Sequence, residues 1–257
     1  MSKIWFINNP QDHGSFDIIG DVHGCYNELV TLLEKLGWQT DANGHYMHPD
    51  GRKLCFVGDL VDRGPDSPKV IRLAMDIIKN KRGYWVKGNH DDKWARYLNG
   101  NHVKISHGIK ETIEQFKNET PTFKKEVKNF IDNLPIYAIL DDKKLLIVHA
   151  GLRENLHGLA TERAEAFSLY GKSTGQYDEN GYPIRYRWQD EYTGDTTIVY
   201  GHVALQEVEN INKCIDIDTA CVFGGKLTAL RWPENEFVQI PSQTNWEKPI
   251  IIETMRD

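Results

Sequence analysis

The chain has 257 residues, 40% of them hydrophobic and 26% charged, with a formal net charge of −6 at neutral pH. A chain of this length can bury a substantial core, and nothing in it calls for a second domain, so one domain over residues 1–257 is expected. No apolar run approaches the roughly 20 residues that span a bilayer, and the acidic balance argues against extended binding to nucleic-acid backbones, which relies on many cationic phosphate contacts.

In chain order, the first signal is a short apolar run, Phe16–Ile19, that ends abruptly in Gly20-Asp-Val-His-Gly24. Leu29, Leu32, Leu33 and Leu36 then follow i, i+3, i+4, i+7 spacing and stop at Gly37, which predicts an amphipathic helix with a glycine cap. A second run, Leu54–Val57, ends in Gly58-Asp-Leu-Val-Asp-Arg-Gly64. Ser67 as N-cap and Pro68 at the first helical position predict another helix, with Val70, Ile71, Ala74, Ile77 and Ile78 as its buried stripe. A third run, Tyr84–Val86, leads into Lys87-Gly-Asn-His-Asp-Asp92.

Residues 91–134 are more polar and carry helical spacing, as in Ile105, Ile109, Ile113 and Phe116, then Phe123, Val127, Phe130 and Ile131. A helical insertion beside the site is expected there. Leu145–Val148 precede His149-Ala-Gly151, and Ile198–Tyr200 precede Gly201-His202. Between them, residues 171–195 have weak periodicity and read as a long functional loop. Beyond Ile198 the chain returns to short strands, with turn signals at Gly224-Gly225 and Pro233. The alternation of buried strands and helices predicts an α/β sheet core flanked by helices, with ligand groups at the carboxyl ends of strands.

Cys25, Cys55, Cys214 and Cys221 form no CxxC pair, so they are expected to be reduced and buried, and a structural role is favoured for Cys25 over a nucleophilic one. The amino terminus shows no secretory pattern, and the expected address is the cytoplasm.

Asp, His and Asn beside glycine are common turn residues, so any one of these motifs alone is weak. Five such turns, each after an apolar strand, together supply two Asp, one Asn and three His. Imidazole, carboxylate and amide donors in that number suit borderline divalent transition metals better than calcium. His13, His45, His48, His102, His107 and His157 lie outside the turns and are expected to have ordinary surface or structural roles.

The five ordered motifs resemble the signature of the calcineurin-like metallophosphoesterases, in the branch that includes the phosphoprotein phosphatases. The resemblance covers about residues 16–230. It implies a four-layer αββα sandwich. It also implies two divalent metals, Mn2+ foremost with Fe, Ni, Co or Zn as alternatives. Asp21 and His23 would serve one metal, Asn89, His149 and His202 the other, and Asp59 would bridge them, with a water or hydroxide shared by the metals as nucleophile. It further implies that Arg63 grips substrate phosphate and that His90, paired with Asp62, is a general acid held as imidazolium.

Later segments, including Asn180-Gly-Tyr-Pro-Ile-Arg185, Val199-Tyr-Gly-His202 and Ile215-Asp-Ile-Asp218, are similar to two groups of bacterial enzymes. These are the PrpE-type diadenosine tetraphosphate hydrolases and the phosphatase domain of polynucleotide kinase-phosphatase. The chain lacks the Gly-x-x-x-x-Gly-Lys-Ser/Thr phosphate loop of a kinase, which favours the first. This resemblance implies a small phosphorylated substrate such as a dinucleoside polyphosphate. Arg153 and Arg185 (or Arg187) would form a second phosphate grip, and Asp218 would lie near the metals through a water. Tyr177, Tyr182, Tyr186 and Trp188 are candidates for base stacking, although aromatics are more often core. Gly-Asn-His-Asp replaces the Gly-Asn-His-Glu usual in eukaryotic protein phosphatases, which weakens a dedicated phosphoprotein reading. Protein phosphatase, 2′,3′-phosphate polynucleotide phosphatase and a silent phosphate-binding relative stay open as alternatives, and so does the choice between monomer and homodimer.

Overall fold

The apolar runs form strands because their side chains alternate between two buried faces, and each strand is covered on both sides. The computed structural model describes residues 4–177 and 183–243. Its elements in order are β1 (Ile7–Asn9), β2 (Phe16–Ile19), α1 (Tyr26–Leu36), a small hairpin of β3 (Gln39–Thr40) and β4 (Tyr46–Met47), β5 (Lys53–Phe56), α2 (Ser67–Lys79) and β6 (Gly83–Trp85). There follow α3 (Asn89–Leu98), α4 (Ile109–Phe116), α5 (Pro121–Asp132), β7 (Tyr137–Leu140), β8 (Leu145–Val148) and α6 (Glu162–Tyr170). The chain closes with the hairpin β9 (Ser173–Tyr177) and β10 (Pro183–Arg185), then β11 (Thr197–Tyr200), β12 (Glu209–Ile211), β13 (Cys214–Asp216), β14 (Lys226–Trp232) and β15 (Glu236–Pro241).

Two mixed sheets form the centre, in the orders β1-β7-β8-β11-β13-β12 and β15-β14-β2-β5-β6. Phe16, Ile18, Cys55 and Val57 meet Ala138, Leu140, Leu145, Ile147 and Val199 between the sheets. The intervening residues Ile19, Leu54 and Phe56 face α1, α2 and the 89–132 helices instead, while Leu146, Val148, Ile198 and Tyr200 face Phe167 and Trp188 on the far side. The result is the expected helix–sheet–sheet–helix sandwich. No described helix is long and apolar enough to cross a membrane.

Several local expectations need correction. Gly37 does cap α1 in the left-handed conformation, at φ 94°, but Asp66 rather than Ser67 caps α2, accepting from the Lys69 amide at 3.2 Å. Ser67 is already engaged: its hydroxyl accepts from the Asp62 amide and contacts Thr112 Oγ1, each at 3.2 Å. The 91–134 region is helical as expected, in α3, α4 and α5, and its Ile109, Phe116, Phe123, Val127 and Ile131 join the core beside α1 and α2. Ile105, by contrast, lies outside α4 and is 52% exposed. Within 171–195 the structure contains the β9–β10 hairpin and a short helical turn at Trp188–Glu191, both cued too weakly to read. All four cysteines are buried and free, as expected.

One buried charge cluster ties β2 to its surroundings. Asp17 is fully buried and accepts from Arg52 Nε at 2.8 Å, Trp38 Nε1 at 2.8 Å and Arg231 Nε at 3.3 Å. Arg52 keeps its pair with Glu234 at 2.7 Å, but Trp38 Nε1 loses its buried acceptor, so Asp17→Ala is expected to lower stability by about 1–3 kcal/mol. Urea denaturation checks this, and a variant as stable as the parent would show that Trp38 is not held by Asp17.

Candidate metal centre

The loops after β2, β5, β6, β8 and β11 meet at one edge of the sandwich, which is how residues far apart in sequence become neighbours. Their backbones are unusual. His23, Asp59, Asp62, Arg63 and His202 all have positive φ, between 44° and 75°, a region that non-glycine residues enter only when their surroundings hold them there. Two of the motif glycines permit the approach. A Cβ on Gly88 would sit 2.1 Å from Asp59 Oδ1, and one on Gly201 would sit 2.1 Å from Asp21 Oδ1.

Asp59 lies at the middle. Its Oδ2 is 3.4 Å from His149 Nε2, 3.7 Å from His23 Nε2 and 4.0 Å from His90 Nε2, and its Oδ1 accepts from the His90 amide at 2.8 Å. On one side His149 Nε2 also meets Asn89 Oδ1 at 2.9 Å and His202 Nδ1 at 3.1 Å. The other ring nitrogens point away: His23 Nδ1 and His149 Nδ1 contact the carbonyls of Val61 and Val57 at 2.7 and 3.2 Å. Such carbonyl contacts fix the tautomer and aim Nε2 at the cluster. Asp21 accepts from the His202 amide at 3.3 Å and is electrostatically linked to Asp59, Asp216 and Asp218.

These donors fit a pair of dications. Two overlapping sets, His23–Asp59–His90 and Asp59–His149–His202, have ligand atoms within 4.8 Å of one another. His202 Nε2 is buried and has no hydrogen-bond partner. Burial pushes Asp59 up to about 8, and burial together with Asp218, Asp59 and Asp216 pushes Asp21 well above the carboxylate range. Burial also holds His149 down at about 4 and His23 and His202 well below the usual imidazole range. Crowded buried carboxylates beside neutral imidazoles are stabilised by bound cations, which offset the like charges and use the free imidazole lone pairs.

The residues assigned to substrate chemistry divide. Asp62 Oδ2 is 2.6 Å from His90 Nδ1, as expected of a pair. Burial pushes Asp62 up to about 7 and His90 well below its ordinary value, so burial opposes the charges that their pairing favours. Arg63 touches the His23 ring through Nη1 and stacks over Phe223 at 5.2 Å. Arg185 bonds the Tyr170 carbonyl at 2.7 Å, and after burial its charge is among the influences lowering His149 and His202. Arg153 instead pairs with Glu191 at 3.6 Å and stacks on Tyr186 at 5.1 Å. Arg187 pairs with Asp190 and Glu209 at 3.0 and 3.3 Å. Asp218 is pushed up to about 6 by burial, and its charge in turn raises Asp21.

Trp188 is core and not a stacking platform, for it is 4% exposed and packs against Phe167, Tyr192 and Tyr200. It also explains Gly151, where a Cβ would meet the indole at 2.4 Å. Tyr177 is 69% exposed, Tyr186 bonds Glu191, and Tyr182 lies outside the described residues.

Two positioning residues are not assigned a role from sequence. Asp91 accepts from the amides of Asp59, Leu60 and Gly88 at 3.0, 3.1 and 3.0 Å and from Trp85 Nε1 at 3.2 Å. Thr112, on α4, donates to Asp62 Oδ1 at 2.7 Å and accepts from the Asp62 amide at 3.0 Å. Only the identity of Asp91 within Gly88-Asn-His-Asp91 hinted at a clamp, and Thr112 lies 50 residues from its partner.

Comparison with known proteins agrees with this geometry. The chain is 46% identical over 246 residues, 94% of its own length, to 98% of the bis(5′-nucleosyl)-tetraphosphatase PrpE [asymmetrical] of Halalkalibacterium halodurans. It is 45% identical over 233 residues, 88% of this chain and 94% of the other, to the protein of the same name from Anoxybacillus flavithermus. A solved structure described as a candidate diadenosine tetraphosphatase shares the fold with a TM-score of 0.68, at 24% identity, over 94% of this chain and 99% of that one. Residues 14–237 match the calcineurin-like phosphoesterase family, and with most of the sequence inside that match the chain belongs to this family of hydrolases of phosphate ester and anhydride bonds.

Proposed function

We propose that the protein hydrolyses dinucleoside tetraphosphates asymmetrically, releasing a nucleoside monophosphate and a nucleoside triphosphate. The observation that carries this reading is near-full-length similarity to enzymes named for that reaction, in a chain whose His23, His149 and His202 gather around Asp59. Calcineurin-like phosphoesterases use a divalent metal pair. Here Asp21 and His23 would hold one ion, Asn89, His149 and His202 the other, and Asp59 both. The mixed imidazole, amide and carboxylate set favours Mn2+, with Fe, Co, Ni and Zn also accepted. When bound, the ions supply Lewis acidity and bring the pKa of water toward neutrality.

The chain's own residues do the rest. Arg63 grips nonbridging phosphate oxygens and stabilises the charge that builds on them in the transition state. His90 delivers a proton from Nε2 to the departing phosphate oxygen while Asp62 holds Nδ1, and Thr112 holds Asp62. Asp218 stands beside Asp21 outside the donor set, and its like charge adds to the demand for a cation there. The substrate is small and phosphorylated, and the site of action is the cytoplasm.

Product analysis with Mn2+ and diadenosine tetraphosphate tests the reading. AMP and ATP in equal amounts are expected. ADP as sole product, or intact substrate beside rapid phosphopeptide turnover, would overturn it. The arginines give a finer test, since Arg185 acts on His149 and His202 while Arg153 is paired with Glu191. Arg185→Ala is expected to lower kcat/KM for the tetraphosphate by roughly 10- to 100-fold, the worth of one or two hydrogen bonds to a charged group. Arg153→Ala should change it by no more than about threefold, in line with a partly exposed ion pair. Equal losses in steady-state assays would place both arginines on the substrate.

A further inference from the structure

Outside the centre built on Asp59, a second buried group of donors lies between the loop after β2 and the loop after β13. Cys25, Glu28 and Cys221 are 0%, 0% and 1% exposed, and their Sγ and carboxylate atoms all lie within 4.8 Å of one another. The three come from separate stretches: Cys25 precedes α1, Glu28 sits in its first turn, and Cys221 follows Asp218 by three positions.

The state of Glu28 is what makes this group unusual. A glutamate in the first turn of a helix commonly reaches back to the N-cap amide, yet the Cys25 amide donates to the Val22 carbonyl at 2.9 Å instead. Glu28 Oε1 accepts from the Gln243 amide at 3.0 Å, while Oε2 is buried with no hydrogen-bond partner among the described residues. A fully buried carboxylate oxygen without a partner is costly. Cys25 makes no side-chain cap hydrogen bond, and its thiol contacts the His23 carbonyl at 3.8 Å and the Cys221 thiol, not the Glu28 carboxylate.

We propose that Cys25, Cys221 and Glu28 form a site for a thiophilic divalent cation, of the Zn2+ or Co2+ class, separate from the catalytic pair. Two sulfurs and a carboxylate match the preferences of such ions and not those of Mg2+ or Ca2+. Sulfurs bound at about 2.3 Å around a tetrahedral ion stand about 3.8 Å apart, so with all donor atoms within 4.8 Å of one another a contraction of at most about 1 Å closes the group. A carboxylate binding through both oxygens completes four donors, and the amino terminus of α1 favours the anionic ligands. Binding displaces one proton from each thiol, and both protons pass to solvent. The ion would staple the Asp21–His23 loop to the Asp218 loop, fixing two edges of the catalytic centre from behind.

The test uses the intact chain, reduced, stripped with chelator and titrated with Co2+ while absorption is followed. A thiolate-to-cobalt charge-transfer band in the near ultraviolet is expected, because nitrogen and oxygen donors at the catalytic centre cannot produce one. Cys221→Ser should abolish the band and lower bound Co2+ by one equivalent per chain. Glu28→Gln, which keeps the bond to Gln243, should weaken Co2+ binding at the band by at least 10-fold. Cys55→Ser and Cys214→Ser, at lone buried cysteines, should leave it unchanged. If Cys221→Ser does not fold by circular dichroism, the parent titration and Glu28→Gln decide. No band in the folded parent, a band that survives loss of Cys221, or unaltered affinity in Glu28→Gln would each overturn the site.

Discussion

Asp59→Asn is expected to lower kcat/KM by about three orders of magnitude or more while leaving the chain folded. The variant keeps an oxygen in place to accept from the His90 amide, as Oδ1 does now at 2.8 Å. It replaces Oδ2, the atom lying 3.4 Å from His149 Nε2 and 3.7 Å from His23 Nε2, by an amide nitrogen. Among the six proposed ligands only Asp21 and Asp59 carry charge, so the change halves the negative charge available to two dications about 3.5–4 Å apart. A neutral amide also presents hydrogens where a lone pair is needed. Both positioning and activation of water then fail together, which is why the expected loss exceeds that of any one phosphate contact. Steady-state turnover of diadenosine tetraphosphate, with bound metal counted in the same preparation, checks the result. Turnover within tenfold of the parent would remove Asp59 from the centre of the mechanism.

What could be read in advance follows from how locally each feature is encoded. The strand ends and their ligands were legible because apolar runs of three or four residues stop at glycine, and the chemistry comes directly after. Leu29, Leu32, Leu33 and Leu36 announced α1 by spacing alone. Helix α6 announced nothing comparable, because its buried residues Ala164, Phe167, Ser168 and Leu169 include a serine and do not form a clean stripe. Roles that depend on pairing across the fold were also silent. Arg153, Arg185 and Arg187 look alike in sequence, and only Glu191, Asp190 and Glu209 decide which of them is taken. Ser67 fits a cap because a hydroxyl precedes proline, but its partners are Asp62, in the loop after β5, and Thr112, brought in by α4. Trp188 read as a possible base platform until Gly151 and the outer core claimed its ring.

Asp91 is the residue whose effect the sequence least foretells, and Asp91→Ala is expected to cost about 3–5 kcal/mol of stability together with a 10- to 100-fold loss of metal affinity. Its carboxylate is fully buried, and every neighbour in hydrogen-bonding range is a donor: three backbone amides and one indole. Those amides belong to Asp59 and Leu60 on one loop and to Gly88, which precedes Asn89, on the other. Alanine leaves all four donors without a partner and unlocks two loops that carry three of the proposed catalytic residues, Asp59, Asn89 and His90. Asp91→Asn isolates the cause. Its amide oxygen can replace Oδ2 toward Asp59, Gly88 and Trp85, but its NH2 then faces the Leu60 amide, donor against donor. It should therefore fall between parent and alanine in both stability and metal affinity. Chemical denaturation with chelator present separates the folding effect, and metal titration of the refolded chain separates the binding effect. An alanine variant that loses stability but binds metal as the parent does would make Asp91 a fold residue only, and the link from this carboxylate to the catalytic loops would be wrong.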